Sequence, residues 1–254
     1  IRKKGEYYSL TGQPTRRPTK ELQRWLRYKW WRAHLAASIL RRVPFVRMVG
    51  VANTLADGTA GKDSDIDVFV VIKDGRLFLG RTLVTLALQL AGLRRHGKKV
   101  NNRICLSFYA TDSHLDLSEV AFAPYDIYLA YWVSELTPVL AVDHTYERFL
   151  RANQWVAGYL PRFGRRDERE EKRTFTAAIA ESALTSPLGD WLERRLEKRQ
   201  LAKIATDPRP DEPDVRIIAT PHMLKFHEKE RRKVYRTEWE ETMRRVGFDP
   251  ELIK

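Results

Sequence analysis

Two short pieces of the chain hold residue types that could do chemistry. The first is Asn53-Thr54-Leu55-Ala56, which follows the β-rich run 46–52. The second is Asp63-Ser64-Asp65-Ile66-Asp67-Val68. Side chains alternate along a strand, so Asp65 and Asp67 are expected on the same side. Two carboxylates that close repel and raise each other's pKa. At the mouth of an apolar strand the pair is costly unless a cation sits between them. Hard oxygen ligands on a short, rigid element suit Mg²⁺, which takes one or two carboxylates and fills its shell with water and substrate phosphates. The turn at Asn53-Thr54 can present backbone N–H groups and a hydroxyl to phosphate. Strand, phosphate loop and paired carboxylates, in that order, make a site for metal-assisted phosphoryl chemistry. The simpler alternative is that one aspartate caps a turn while the other faces solvent at the start of the strand.

Such a site needs a frame. The run 66–72 is almost wholly apolar and β-branched, the pattern of a strand buried on both faces. Asp74-Gly75 makes a turn. Residues 77–93 form a helix with Leu79, Leu83, Leu86 and Leu90 as its stripe, and 104–110 form a third strand, which Leu115-Asp116-Leu117 extends or pairs beside. Upstream, Thr19 is a good N-cap for a helix over 20–42. Leu22, Leu26, Trp30, Ala33, Ala37 and Leu40 give it an apolar stripe that Trp25 and Trp31 widen. From Pro124 onward the pattern is helical: 125–136, 145–160, 174–184, 188–204 and 228–245 read as helices. The charge run 165–173 reads as an exposed helix start, 207–214 as a Pro-rich loop and 215–219 as a short strand.

The central segment resembles the DNA polymerase β-type nucleotidyltransferase superfamily, most closely over residues 44–118. That family carries a strand, a Gly-Ser or Gly-Gly turn, about ten residues, an Asp-x-Asp with apolar neighbours, and a third carboxylate on a later strand. Here Thr54 matches the family's serine, Asp65 and Asp67 match its Asp-x-Asp, and Leu55-Ala56 is similar to standalone bacterial members. Asn53 stands where the family usually has glycine. Asparagine is the other residue that tolerates a left-handed backbone, so the turn can survive. The resemblance implies transfer of a nucleotidyl group from NTP to a hydroxyl, with release of pyrophosphate. It also implies two Mg²⁺ ions, or Mn²⁺ in their place, between the carboxylates and the triphosphate. Asp116 is the strand-like candidate for the third carboxylate, ahead of Asp112 and Glu119. Asn53 and Thr54 would hold the β and γ phosphates. Arg81 reads as a phosphate clamp or as a packing arginine.

Composition narrows the remaining classes. Lys and Arg number 46 against 33 Asp and Glu, a net charge of +13. That surplus favours a polyanionic partner or substrate, with nucleic acid or nucleotide foremost. An apolar share of 43% excludes a fully disordered chain. Cys105 is the only cysteine, which excludes a disulfide scaffold and fits a reducing, cytoplasmic compartment. No apolar run approaches the ~20 residues that span a bilayer. The six histidines show no i, i+4 pairing and no neighbouring cysteine pair, so zinc is not expected. Ser64 has no adjacent histidine, so no hydrolase triad is supported. Asn153-Gln154-Trp155 is read as helix packing.

The expected architecture is α+β: a small mixed β-sheet of the polymerase β nucleotidyltransferase type flanked by helices, then a mostly helical C-terminal half. The expected divisions are 1–19, a basic segment read as the end of a truncated unit because the first residue is not Met; 20–120, a catalytic core; and 121–254, a helical domain. The alternative function is a catalytically inactive relative, or a basic module, that binds nucleotide or nucleic acid. The acceptor (RNA, a protein side chain or a small molecule such as an aminoglycoside) is left open.

Overall fold

The computed structural model of the chain describes residues 2–4, 7–9, 18–164, 170–206, 216–227 and 232–249. Arg2–Lys4 (β1) and Tyr7–Ser9 (β2) pair antiparallel as a separate ribbon. Helix α1 spans Lys20–Leu40, and the Thr19 hydroxyl accepts the Leu22 N–H at 3.1 Å, as the N-cap reading requires. Its buried face is Lys29, Ala33, Ala36, Ala37 and Leu40. The aromatic stripe is narrower than expected: Trp31 is 58% exposed and stacks on Tyr28 on the outer face.

Strand β3 (Val46–Val51), the single turn α2 (Asn53–Ala56), β4 (Ile66–Ile72), α3 (Leu77–Leu90) and β5 (Ile104–Thr111) follow. β3 and β4 are antiparallel, whereas β4 and β5 are parallel because α3 carries the chain back across the sheet. α3 lacks a side-chain cap of its own. Glu193, from a distant helix, accepts the Phe78 and Leu79 N–H groups at 2.8 Å each and fills that role.

The later half is α4 (Ile127–Glu135), β6 (Thr137–Ala141), α5 (Thr145–Ala152), α6 (Phe175–Leu184), α7 (Pro187–Ala205), β7 (Arg216–Ala219), β8 (Met223–His227) and α8 (Arg232–Arg245). It is not purely helical. β6, β7 and β8 complete one six-stranded mixed sheet in the order β6-β3-β4-β5-β8-β7. The helical reading missed β6 because Pro138 looks like a helix stop. Proline is admitted here because β6 is an edge strand. The expected helix over 145–160 breaks at Asn153 into a 3₁₀ segment, Gln154–Gly158. Asn153 is buried and ties Leu117 N–H and the Leu115 carbonyl to this corner, so it is structural. Of the charge run, 165–169 lie outside the described residues, and 170–173 are not helical. The loop over 207–214 also lies outside them.

Both sheet faces are covered. Val68, Val70 and Ile72 of β4 pack toward α1 and α3, while Phe69 and Val71 pack toward α4 and α5. This two-sided burial is why β4 reads as a continuous apolar run. The α6–α7 corner is close-packed: a Cβ on Gly189 would lie 1.7 Å from the Leu184 carbonyl oxygen. Gly189→Ala is therefore expected to destabilise the fold by about 3 kcal/mol, since backbone cannot yield as a side chain does. Urea unfolding measures it, and an unchanged midpoint would contradict the packing. Among the described residues no helix is long and apolar enough to cross a membrane.

Candidate functional site

The site forms where β4 begins. The Ala52 N–H donates to the Asp67 carbonyl at 3.0 Å, which ties the end of β3 to the start of β4. Asn53 then takes φ +55°, the left-handed conformation for which asparagine substitutes for glycine. That turn aims its side chain inward, and Nδ2 donates to Asp67 Oδ2 at 2.9 Å. Thr54 is exposed and does not line the adjoining cleft; its carbonyl accepts from Thr59 and Ala60 and closes the turn. The pair expected to hold phosphate is thus divided. Asn53 steadies a carboxylate at the cleft, and Thr54 faces solvent.

Asp65 and Asp67 do lie together. With Cys105 they form a group whose ligand atoms are all within 4.8 Å of one another. Burial first, and the Asp65 charge second, hold the Asp67 carboxyl above its usual range. Asp65 Oδ2 accepts from Arg95 Nη1 at 2.8 Å. The third member comes from strand register, because Asp67 pairs directly with Cys105 on β5. The Cys105 thiol is pushed up to about 12 by burial and by the two carboxylates, so it stays protonated at neutral pH.

Asp116 is not in this group. β4 and β5 run parallel, with Ile66 beside Ile104 and Ile72 beside Thr111. Asp116 follows the far end of β5, and the site is at the near end. Leu115-Asp116-Leu117 adds no strand: both leucines are buried under α4 and α5, and the Asp116 carboxylate accepts the Ser118 N–H at 2.8 Å. Asp112 and Glu119 line the same distal hollow as Asp116. Among the described residues no third carboxylate joins Asp65 and Asp67 within 4.8 Å.

Asp67 opens on a cleft of about 1120 Å³ between α3, α7 and the ends of β5 and β8. Arg81, Arg94, Arg95, Arg199 and Lys203 line it. Arg81 donates to Gln200 and lies 4.9 Å from the Phe226 ring centroid, so it is braced by packing as well as turned to the cleft. Compared with known families and with curated proteins, the chain matches no family model and no curated protein. The site therefore rests on its own geometry.

Sequence reasoning passed over two supporting residues. Arg95 belongs to no motif in the sequence; the bond from its N–H to the Ile104 carbonyl, 2.8 Å, fixes it beside Asp65. Lys29 sits on a helix face that otherwise reads as apolar. It is fully buried, and Nζ donates to the Ser64 carbonyl and to Asn102 Oδ1, the latter at 2.7 Å. Burial lowers its pKa, while Asp65 and Asp63 oppose the shift. A lysine spaced four residues before Ala33 was the available signal. Lys29→Met is expected to cost about 2 kcal/mol, because a buried acceptor loses its donor and Asp65 loses a nearby cation. Chemical denaturation checks this; equal stability would show that the clamp is idle.

Proposed function

We propose that the chain is a Mg²⁺-dependent nucleotidyltransferase that moves a nucleotidyl group from NTP to a hydroxyl acceptor and releases pyrophosphate. One observation carries the reading: Asp65 and Asp67 stand side by side where the strand meets a large cleft walled by arginine and lysine. The donor set fits a hard divalent cation. Two carboxylates converge, one of them holds its proton more tightly than usual, and a cation relieves that repulsion. Cys105, a neutral thiol, adds no charge where a third carboxylate would, so the set favours one ion between Asp65 and Asp67 over the expected two. When bound, Mg²⁺ supplies charge neutralisation and alignment for the triphosphate.

The protein's own groups do the remaining work. Arg94, Arg199 and Lys203 draw the polyphosphate into the cleft. Arg95 neutralises Asp65 in the free protein. Asp65 would be one of the residues to hold the ion, and the Arg95 guanidinium would then be free to pair with a substrate phosphate instead. Asn53 keeps Asp67 in position throughout.

A second reading is supported by the same Cys105: a relative that binds Mg–NTP without turning it over. Incubation with labelled NTP, Mg²⁺ and candidate acceptors separates them. Pyrophosphate that disappears in Asp65→Ala and Asp67→Ala supports the enzyme. Saturable NTP binding with no pyrophosphate supports the binder. If neither NTP nor Mg²⁺ shifts the melting temperature, both readings fail.

A further inference from the structure

We propose that Asp74, His114 and His222 form a second metal site, for a zinc-class transition-metal ion, at the opposite end of the sheet from Asp65 and Asp67. Each of the three side chains offers a ligand atom within 4.8 Å of the other two. They come from three separated segments: the turn after β4, the exit of β5 and the β7–β8 turn. Asp65 precedes β4 and Asp74 follows it, so a seven-residue strand, on the order of 25 Å, separates the two sites.

The two imidazoles stack on each other beside the Asp74 carboxylate, so an ion held by both requires one half-exposed ring to turn out of the stack. Their rings are nearly parallel, 13° apart, with centroids separated by 3.7 Å, and both are half-exposed. His222 Nδ1 lies 3.2 Å from Asp74 Oδ1, and His114 Nδ1 lies 2.9 Å from the Ser113 hydroxyl. Among the described residues, every hydrogen bond of these two rings uses Nδ1 and leaves Nε2 open. The Ser113 hydroxyl on His114 Nδ1 is the kind of bond that orients a metal-binding histidine through its other nitrogen, whereas Asp74 Oδ1 and His222 Nδ1 are close enough for an ion to take the place of the proton between them.

The backbone beneath is already braced. The Thr111 N–H donates to the His222 carbonyl at 2.9 Å, the His114 N–H to the Thr111 carbonyl at 3.1 Å, and the Asp74 N–H to Asp112 Oδ1 at 2.8 Å. Two imidazoles and one carboxylate suit Zn²⁺, Co²⁺ or Ni²⁺ and leave a position for water, whereas Mg²⁺ selects all-oxygen sets. An ion here would pin the β7–β8 hairpin to the ends of β4 and β5, a structural clip built from loops.

The test uses the untagged full chain stripped with EDTA. Zn²⁺ is titrated by calorimetry, and Co²⁺ by its visible absorption. We expect one equivalent of Zn²⁺ to bind and raise the melting temperature. Affinity should fall by about tenfold to a hundredfold in His114→Gln and in His222→Gln. Asp67→Asn and Cys105→Ser should keep that equivalent, since they alter only the other cluster. As a readout that needs no variant, Co²⁺ should shift the ring resonances of His114 and His222 in the unaltered chain. The proposal is overturned if the folded protein binds no Zn²⁺, if the double histidine variant binds it as well as the original, or if Co²⁺ leaves both rings unmoved.

Discussion

Asp67→Asn is expected to stabilise the metal-free protein while abolishing Mg²⁺-dependent turnover. Burial and the neighbouring Asp65 raise the Asp67 pKa, so the folded state takes up a proton more readily than the unfolded chain. The charged form is therefore a liability. Its cost is absent below the ordinary carboxylate range and grows as pH rises through the raised folded value. Asparagine can still accept from Asn53 and carries no charge, so the variant should gain about 1 kcal/mol at neutral pH. The gain should shrink toward zero in acid. Under the proposed nucleotidyltransferase function, activity goes the other way. Loss of one anionic ligand removes several kcal/mol of transition-state stabilisation, a fall of about a thousandfold. Melting curves from pH 4 to 8 and pyrophosphate release from the same preparations read both effects. A variant that melts lower at neutral pH, or that retains turnover, contradicts the role given to Asp67.

Glu181→Ala is expected to be the most destabilising of these changes, at about 3–5 kcal/mol. Glu181, on α6, is buried and accepts from Arg47 of β3 through both oxygens, one at 3.1 Å from Nη1, and from the Phe45 N–H at 3.2 Å. Arg173 lies 3.3 Å away and Lys73 3.6 Å away. Alanine leaves the buried Arg47 without its main partner, and α6 loses its tie to the sheet. Burial alone would raise the Glu181 pKa, but the Arg47 hydrogen bonds and charge, the Phe45 N–H and Arg173 outweigh it and hold the carboxyl low. A depressed folded pKa means that the stability is present above the ordinary carboxylate range. It is lost as pH falls through the folded value. Glu181→Gln should flatten that acid limb. Urea titrations at pH 7 and pH 3.5 measure it, and parallel pH profiles for glutamine and glutamate would refute the assignment.

Local pattern was enough for the elements around the site. Strand β4 was legible because both its faces are buried and its apolar run is unbroken. Helix α1 was legible from Thr19 and its stripe, and Asn53 as a left-handed turn from its residue type. Asp65 and Asp67 were placed together by the two-residue period of a strand, which needs no knowledge of the rest of the chain. Pairing between strands does need it. That Cys105, not Asp116, faces Asp67 follows from the parallel register of β5, and a register is a contact between segments with no trace in either one alone. The same reason hid β6 behind Pro138, whose tolerance depends on lying at an edge. It also hid Lys29, whose partners are the Ser64 carbonyl and Asn102. Asp74, His114 and His222 show no motif spacing at all, because three chain reversals, not one helix face, bring them together. Spacing along the chain reports chemistry built within one element; chemistry shared between elements exists only once burial has packed them.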